Sequence, residues 1–234
     1  MNRAPWLLLL LAGCGITETG NPELDAELTL RAVSSAPTQV DVRPVEVGVT
    51  GVESAWLSVE RLEFTYGERC DEGREREYEL DEPFVTDAAS VVPDTQSLLL
   101  FSSEYCRVRL RLRPAASSAG PSDLSGHSLL LTGTLADGTP YLVRSTEDFR
   151  LEVRSAIPVP LDEISRSMLI SLDVAVWLDG IDLSTATRED DASIRIEPGS
   201  NAALLAQIEA RIEAAMELFD DDDGDGELDE DDDD

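Results

Sequence analysis

The central part of the chain, from Leu28 to about Arg195, alternates apolar and polar residues in short runs. The clearest run is Tyr105–Arg113, where four apolar residues alternate with arginines at positions 107, 109, 111 and 113. Asp148–Arg154 repeats the pattern. Because successive side chains of a strand point to opposite faces, both runs are predicted to be half-buried strands of a layered sheet protein.

Further runs bounded by Gly, Pro, Asp and Ser predict more strands. They are Leu28–Ser34, Ser54–Tyr66, Arg76–Asp81, Gln96–Phe101, His127–Ala136, Tyr141–Ser145, Met168–Leu178 and Ser193–Ile196. The residues Ala136-Asp137-Gly138 predict a hairpin turn. Many short strands and no helical pattern before residue 200 favour a mainly β fold, an antiparallel β-sandwich of the immunoglobulin-like or prealbumin-like kind over residues 28–197. Pro114–Gly126 is expected to be an exposed loop at one end of it.

The pattern changes at Ser200, which is a suitable helix cap. Apolar residues recur at helical spacing from Asn201 to about Phe219, so residues 198–219 are predicted to form one helix packed on the sandwich. The apolar positions are Leu204, Leu205, Ile208, Ile212, Met216 and Phe219. Residues 220–234 form an acidic tail.

Charge narrows the partners. The chain has 49 acidic and 18 basic residues and a formal net charge of −31. Such acidity argues against binding to nucleic acid and against direct adsorption to anionic lipid. All the basic residues are arginine, which excludes lysine nucleophiles and Schiff-base chemistry.

The N-terminus has a basic residue, a short apolar run and then Leu11-Ala12-Gly13-Cys14. This is typical of a secretory signal and is too short to span a membrane. The last four residues resemble the lipobox of bacterial lipoproteins. The resemblance implies that residues 1–13 are removed and that Cys14 receives acyl chains such as palmitate, which anchor the chain in a lipid bilayer. Gly15, in place of aspartate, implies sorting to the outer membrane or cell surface, and residues 14–27 are expected to be a flexible tether.

Export also bears on the two other cysteines, Cys70 and Cys106. In an oxidising compartment they are expected to form a disulfide. A zinc site or a Cys-His nucleophile would need more support than the lone His127 offers.

The body of the chain resembles an uncharacterised β-sandwich domain of bacterial lipoproteins. The similarity rests on the segments ESAWLSVERLEF, SLLLF and YCRVRLRL, spans about residues 28–178 and implies no known activity. In the segment VWLDGIDL, Trp177 and Asp179 are candidates for a binding role, although a strand that ends in a tight turn explains them more simply.

The acidic tail resembles a calcium-binding EF-hand loop. The resemblance implies side-chain or carbonyl ligands from Asp221, Asp223, Asp225, Glu227, Asp229 and Asp232, with Gly226 at the sharp turn and the preceding helix as the incoming helix. Asp232 replaces the usual glutamate, and the match has no exit helix, so Ca²⁺ binding would be weak. The alternative is an acidic tail that only increases solubility.

The arginines at 107, 109, 111 and 113 are a second candidate site. Their guanidinium groups match the geometry of anionic glycans or phosphates. The favoured interpretation is structural, with neutralisation across the sheet by Glu77, Glu79 and Asp81.

No catalytic motif stands out: the sequence has no G-x-S-x-G, H-E-x-x-H or P-loop pattern. The sequence therefore favours an exported, lipid-anchored envelope protein with a non-enzymatic structural or binding role and a weak calcium site. One alternative is a surface module that binds a glycan or an envelope protein through Pro114–Gly126, Trp56 or Trp177. A hydrolase that uses Asp/Glu pairs is the least favoured class.

Overall fold

The computed structural model describes residues 21–34, 43–44, 51–67, 76–92, 94–116, 119–212 and 215–221. The strands in these ranges are β1 Glu23–Ser34, β2 Arg43–Pro44, β3 Gly51–Gly67, β4 Arg76–Leu80, β5 Phe84–Asp87, β6 Thr95–Phe101, β7 Ser103–Leu112, β8 Leu129–Thr134, β9 Pro140–Ser145, β10 Phe149–Leu161, β11 Ser167–Asp173, β12 Ile194–Ile196 and β13 Met216–Asp220. The helices are α1 Val174–Leu178 and α2 Ala202–Glu209, and short 3₁₀ turns lie at Ser122–Leu124 and Leu183–Thr185.

The strands form two mixed sheets in a sandwich-like arrangement, which confirms the predicted mainly β fold. The five-stranded sheet runs from β13 through β11 to β1, whose other edge pairs with β2 and β6. The eight-stranded sheet contains the other strands. Most pairs are antiparallel, as predicted, and two are parallel: β1 with β11 and β12 with β9.

The long strand β3 organises the eight-stranded sheet. One of its edges pairs with β7 and then β8, and the opposite edge pairs with β4 and then β5. The strand β10 lies on the outer edge of β7, and β9 and β12 continue the sheet beyond β8. Consequently β10, β7, β3 and β4 lie side by side.

The inner faces of the two sheets meet in one continuous apolar core. Leu28 and Leu30 enter it from β1, and Phe64 and Leu110 enter it from β3 and β7, all with at most 1% of their surface exposed. Trp177 of α1 is also fully buried there. The core explains the alternation in the sequence, because most inward side chains are apolar and most outward ones are polar.

Two predicted boundaries are wrong. The segment Met168–Leu178 is not one strand: β11 ends at Asp173, whose carboxylate accepts hydrogen bonds from the amides of Ala175 and Val176 and so starts α1. The predicted tether at residues 14–27 is also too long, since β1 begins at Glu23 and pairs there with β6.

The predicted helix from Asn201 to Phe219 is correct only in part. The helix α2 ends at Glu209, and Met216–Asp220 forms β13, which pairs antiparallel with β11. Met216 and Leu218 are buried while Glu217 between them is exposed, which is strand periodicity. Pairing with a sheet edge therefore overrides the helical spacing of the apolar residues.

The segment Pro114–Gly126 is not simply an exposed loop. Its 3₁₀ turn places Leu124, which is fully buried, against Ala115 and Leu130 in a second small apolar cluster. Trp56 packs against this cluster and is half-buried. The segment therefore covers part of the outer surface of the eight-stranded sheet.

The hairpin turn at Ala136-Asp137-Gly138 is confirmed. The amide of Gly138 donates to the carbonyl of Leu135, and the amide of Thr139 donates to the Asp137 carboxylate. Gly138 has a φ of +83°, which only glycine adopts without strain. The turn joins β8 to β9.

Candidate functional site

The outer surface of β10, β7, β3 and β4 is densely charged, and we call it the charged face. Its cations are Arg61, Arg107, Arg109, Arg111, Arg113, Arg150 and Arg154, and its anions are Glu60, Glu63, Glu77, Glu79, Asp81, Asp148 and Glu152. Among the described residues the two signs are equal in number on this face, although the whole chain has a net charge of −31. The surface is therefore unusual for this chain in being electrically balanced.

Strand alternation and one bulge produce this surface. In β3 the inward positions are odd from Ala55 to Val59 and even from Leu62 onward, and the pairing with β7 shifts between Val59 and Arg61. The bulge leaves two consecutive charged residues, Glu60 and Arg61, on the outer side. Glu60 there contacts Arg111 and Arg113, and Arg61 lies in register with Arg111.

One cross-strand row on the charged face has complementary charges, and we call it the paired row. Glu63, Arg109 and Glu152 lie in register on β3, β7 and β10. Arg109 Nε is 2.8 Å from Glu152 Oε2, and Arg109 Nη1 is 3.3 Å from Glu63 Oε1. The hydrogen bond from Arg109 is the main cause that holds the pKa of Glu152 below its usual range, with Arg154 and Arg107 adding to it.

The neighbouring row, two residues along the same strands, has three cations. Arg61, Arg111 and Arg150 lie in register on β3, β7 and β10, and we call them the arginine row. Neighbouring carboxylates form ion pairs with two of these arginines. Arg61 pairs with Glu79 and Asp81, and Arg111 lies 3.3 Å from Glu60 Oε2 and 3.2 Å from Asp148 Oδ2.

Arg150 differs from the other two arginines of that row. Within the part of the chain that the structure describes, its exposed side chain makes no ion pair with a carboxylate. It is therefore the group in the arginine row whose positive charge is least compensated.

A cavity of about 580 Å³ lies over the two rows. It is lined by Arg61, Glu63, Arg109, Leu110, Arg111, Arg150, Leu151 and Glu152. Four arginines and two glutamates give this lining a formal charge of +2. The cavity is thus a locally positive concavity in an acidic protein, and its volume lies in the range of small-molecule sites.

The predicted neutralisation of the β7 arginines is confirmed, but mostly by other residues than expected. Of the three predicted acids, only Glu77 approaches them, at 3.4 Å from Arg109 and 3.9 Å from Arg107. Glu79 and Asp81 pair with Arg61 of β3, because β4 adjoins β3 and not β7.

The main partners come from β10 and from the bulge of β3. Asp148 lies 3.2 Å from both Arg111 and Arg113, and hydrogen bonds from these two guanidinium groups hold its pKa below the usual range. Glu152 and Glu60 supply the other carboxylates. These partners and Arg150 were not predicted, although the alternating run Asp148–Arg154 carried the signal.

The two tryptophans considered as surface binding residues are not exposed. Trp177 is fully buried in the core, and Trp56 is half-buried beside the Pro114–Gly126 segment. Asp179 is exposed at the C-terminal end of α1. Binding through Trp177 is therefore wrong for this fold.

The predicted lipid and disulfide sites lie largely beyond what the structure describes. Cys14 and Cys70 are outside the described residues. Cys106 is half-buried in β7. The acylation of Cys14 and the disulfide between Cys70 and Cys106 stay predictions.

Of the predicted calcium ligands, only Asp221 lies within the described residues. Asp221 directly follows β13 and is 2% exposed. Its backbone amide donates a hydrogen bond to the carbonyl of Ser167, the first residue of β11. Asp223, Asp225, Glu227, Asp229 and Asp232 lie outside the described residues. The expected incoming helix is wrong, because β13 precedes Asp221, so the EF-hand likeness now rests on the residue spacing alone.

Two searches within the described ranges gave no site. They contain no cluster of three or more His, Cys, Asp or Glu side chains that would hold a metal ion. None of the helices described there has both the length and the apolar character needed to cross a membrane.

Comparison with known proteins does not identify the chain. Protein-family models, curated proteins and solved structures all gave no match. Any function therefore has to be inferred from the residues of this chain itself.

Proposed function

We propose that the chain is an exported, lipid-anchored protein of the cell envelope with a non-enzymatic binding role, and that the charged face is its binding surface. The observation that carries the binding role is the cavity lined by Arg61, Arg109, Arg111 and Arg150. Converging arginine side chains bind anionic groups, and a rigid sheet positions them better than a loop would.

The anchor proposal rests on the lipobox-like residues that end at Cys14, and the fold adds a distance to it. The nine residues from Cys14 to Glu23, where β1 begins, reach at most about 30 Å when fully extended. An acylated Cys14 would therefore keep the sandwich within that distance of the bilayer. A binding partner would lie in or near the envelope surface.

Fractionation of cells tests the anchor. Cys14→Ala should move the protein from the membrane pellet to the soluble exported fraction, because the acyl chains are lost. Gly15→Asp is the matched control: it should stay in the membrane pellet but move from the outer to the inner membrane. Equal recovery of wild type and Cys14→Ala in the pellet would overturn the lipid anchor.

A glycan- or protein-binding module remains the second candidate, but its proposed location changes. The segment Pro114–Gly126 covers the small cluster around Leu124, and Trp177 is in the core. The charged face is favoured in their place, because it is where a cavity lies against polar side chains.

We also propose the disulfide and the weak calcium site, each with its own test. Mass spectrometry of unreduced, alkylated protein should recover Cys70 and Cys106 as one linked peptide pair, and an alkylated thiol at either position would contradict the bond. Removal of the bond should destabilise the chain, because the two cysteines close a loop of the unfolded state.

For calcium, Asp221→Ala is an unsuitable probe, because burial of Asp221 makes this change disturb the fold itself. Gly226→Val and Asp225→Ala should each weaken a saturable calcium event in calorimetry, whereas Asp234→Ala should leave it unchanged. An equal response of all three variants, or equal binding of magnesium, would remove calcium from the proposal.

A further inference from the structure

We propose that the arginine row, formed by Arg61, Arg111 and Arg150, binds the phosphate or sulfate ester of a sugar. This inference rests on the proposal that the charged face is a binding surface, and it names the chemical class of the ligand and the residues that hold it.

The three arginines of the row repel one another in the folded chain. Residues directly opposite on antiparallel strands have Cβ atoms about 5 Å apart, and like charges in such pairs are destabilising. Arg111 faces an arginine on both sides, Arg61 on β3 and Arg150 on β10. An anionic ester group bound between them would reduce this repulsion.

The positive charges of the three arginines are not equally neutralised by nearby carboxylates. Arg61 and Arg111 each contact two carboxylates, and Arg150 contacts none in the described part of the chain. Arg150 nevertheless lines the cavity. Its guanidinium group keeps its donors available for an oxyanion, to which arginine forms paired hydrogen bonds.

The dimensions of the row select the size of the anionic group. Adjacent strands lie about 4.8 Å apart, so the three arginines span about 10 Å across β3, β7 and β10. One tetrahedral phosphate or sulfate group fits between two neighbouring guanidinium groups. The long, flexible arginine side chains allow the third to reach the same group or a linked sugar ring.

The carboxylates of the paired row favour hydroxyl groups in the remaining part of the ligand. Glu63 and Glu152 line the same cavity, and Arg109 holds both carboxylates in place. Carboxylate oxygens accept hydrogen bonds from hydroxyl groups and repel bare anions. A ligand that satisfies both rows carries an anionic ester at one end and hydroxyl groups at the other, which describes a sugar ester.

The test is calorimetry on the full chain purified in a non-ionic detergent. Glucose 6-phosphate and glucose 6-sulfate are the probes, and glucose and inorganic phosphate are the comparison ligands. We expect one saturable event with the esters, and weaker binding of both comparison ligands. Glucose binding as tight as that of its esters, or failure of both esters to bind, would overturn the proposal.

A matched pair of variants separates this site from general attraction of anions to arginines. Arg150→Gln and Arg154→Gln remove the same charge from the same strand, but only Arg150 lines the cavity. Arg150→Gln should weaken ester binding about tenfold or more, since a hydrogen bond to a charged group contributes that much. Arg154→Gln should change it less than about threefold. Equal losses in the two variants would overturn the site.

Vesicles distinguish the two sources of such an ester. Vesicle binding is measured with the Cys14→Ala chain, which has no acyl anchor. Its binding to vesicles with a phosphorylated glycolipid, and not to vesicles with phosphatidylglycerol, assigns the ligand to a membrane headgroup. Release from those vesicles by glucose 6-phosphate shows that the headgroup and the soluble ester bind the same site. Calorimetry with glucose esters supports a soluble ligand when neither vesicle binds. These results do not depend on fractionation of Cys14→Ala, so failure of the anchor and failure of the site are separate outcomes.

Discussion

The paired row and the arginine row lie on the same three strands, two residues apart, but their charges follow opposite rules. In Glu63, Arg109 and Glu152 each cross-strand neighbour has the opposite sign, and the distances from Arg109 are 2.8 and 3.3 Å. In the arginine row each cross-strand neighbour has the same sign. Since both rows have the same backbone and the same solvent, the difference is one of residue choice alone.

The paired row consists of residues that stabilise the sheet, whereas the arginine row consists of residues that the sheet holds in place beside the cavity. Opposite charges across strands contribute to stability, and like charges reduce it. A row of like charges that lines a cavity is typical of a surface arranged for a ligand. The paired row also orients its carboxylates toward that cavity, so it supports both the sheet and the site.

The largest effect should come from the inner face that both rows share. Phe64 is fully buried on β3 beneath the charged face and meets the ring of Tyr105 edge to face, with centroids 5.8 Å apart. Phe64→Ala should lower the free energy of unfolding by about 3–5 kcal/mol, because it removes a large buried ring and leaves a cavity. Urea denaturation measures this loss.

The matched control for that prediction is Ile164→Ala. Ile164 is 93% exposed, so its truncation should change the free energy of unfolding by less than about 0.5 kcal/mol. A loss below 1 kcal/mol for Phe64→Ala would contradict the view that one apolar core supports both rows.

The next effect concerns the centre of the paired row. Arg109→Gln removes the cation shared by Glu63, Glu77 and Glu152, and we expect it to lower the free energy of unfolding by about 1 kcal/mol. Arg154→Gln, which removes a 69% exposed partner of Glu152, should have almost no effect. Equal losses in the two variants, measured by urea denaturation, would show that the paired row adds no stability of its own.

Much of the fold follows from the pattern of the sequence. Alternation located most of the strands, and the signal was strongest in β7, whose inward residues are all apolar. It failed at Met216–Asp220, where helical and strand spacing both fit a short run and only pairing with β11 decides between them. It also failed after Asp173, because a side-chain cap acts at one residue and does not alter the hydrophobic pattern.

The candidate site was harder to predict, because it depends on which strands are neighbours. The sequence shows that β7 and β10 both expose charged residues, but not that they are adjacent. The bulge of β3 did have a local signal: Glu60 and Arg61 interrupt the alternation between Val59 and Leu62. Two consecutive charges inside an alternating strand indicate a bulge, so this part of the site was predictable from the sequence.

At acidic pH the paired row should no longer contribute to the stability of the folded chain. The pKa of Glu152 is lowered in the folded chain, so its contribution to stability is complete above the ordinary pKa of a glutamate and is lost as the pH falls through the lowered folded value. Asp148, paired with Arg111 and Arg113, behaves in the same way. Arginines stay charged, so the repulsion within the arginine row remains.

Comparison of two proteins isolates this effect from the relief of the overall negative charge. The difference in the free energy of unfolding between wild type and Arg109→Gln should be about 1 kcal/mol at pH 7 and should shrink toward zero as the pH falls through the lowered folded pKa of Glu152. Urea denaturation across this range measures it. A difference that stays constant with pH would contradict the role of the Arg109–Glu152 hydrogen bond.

The smallest effect is the most informative about the arginine row. Arg150→Glu gives Arg111 an opposite charge across the strand pair and so makes the arginine row resemble the paired row. We expect the thermal unfolding midpoint to rise by about 1–2 °C, with Arg150→Gln between wild type and Arg150→Glu. Ester binding should be lost in Arg150→Glu, because the cavity lining changes from a formal charge of +2 to zero.

If Arg150→Glu is more stable than wild type and does not bind the ester, the wild-type arginine row lowers stability and is needed for binding. A lower midpoint for Arg150→Glu would instead mean that Arg150 stabilises the sheet, and the contrast between the two rows would then have no bearing on function.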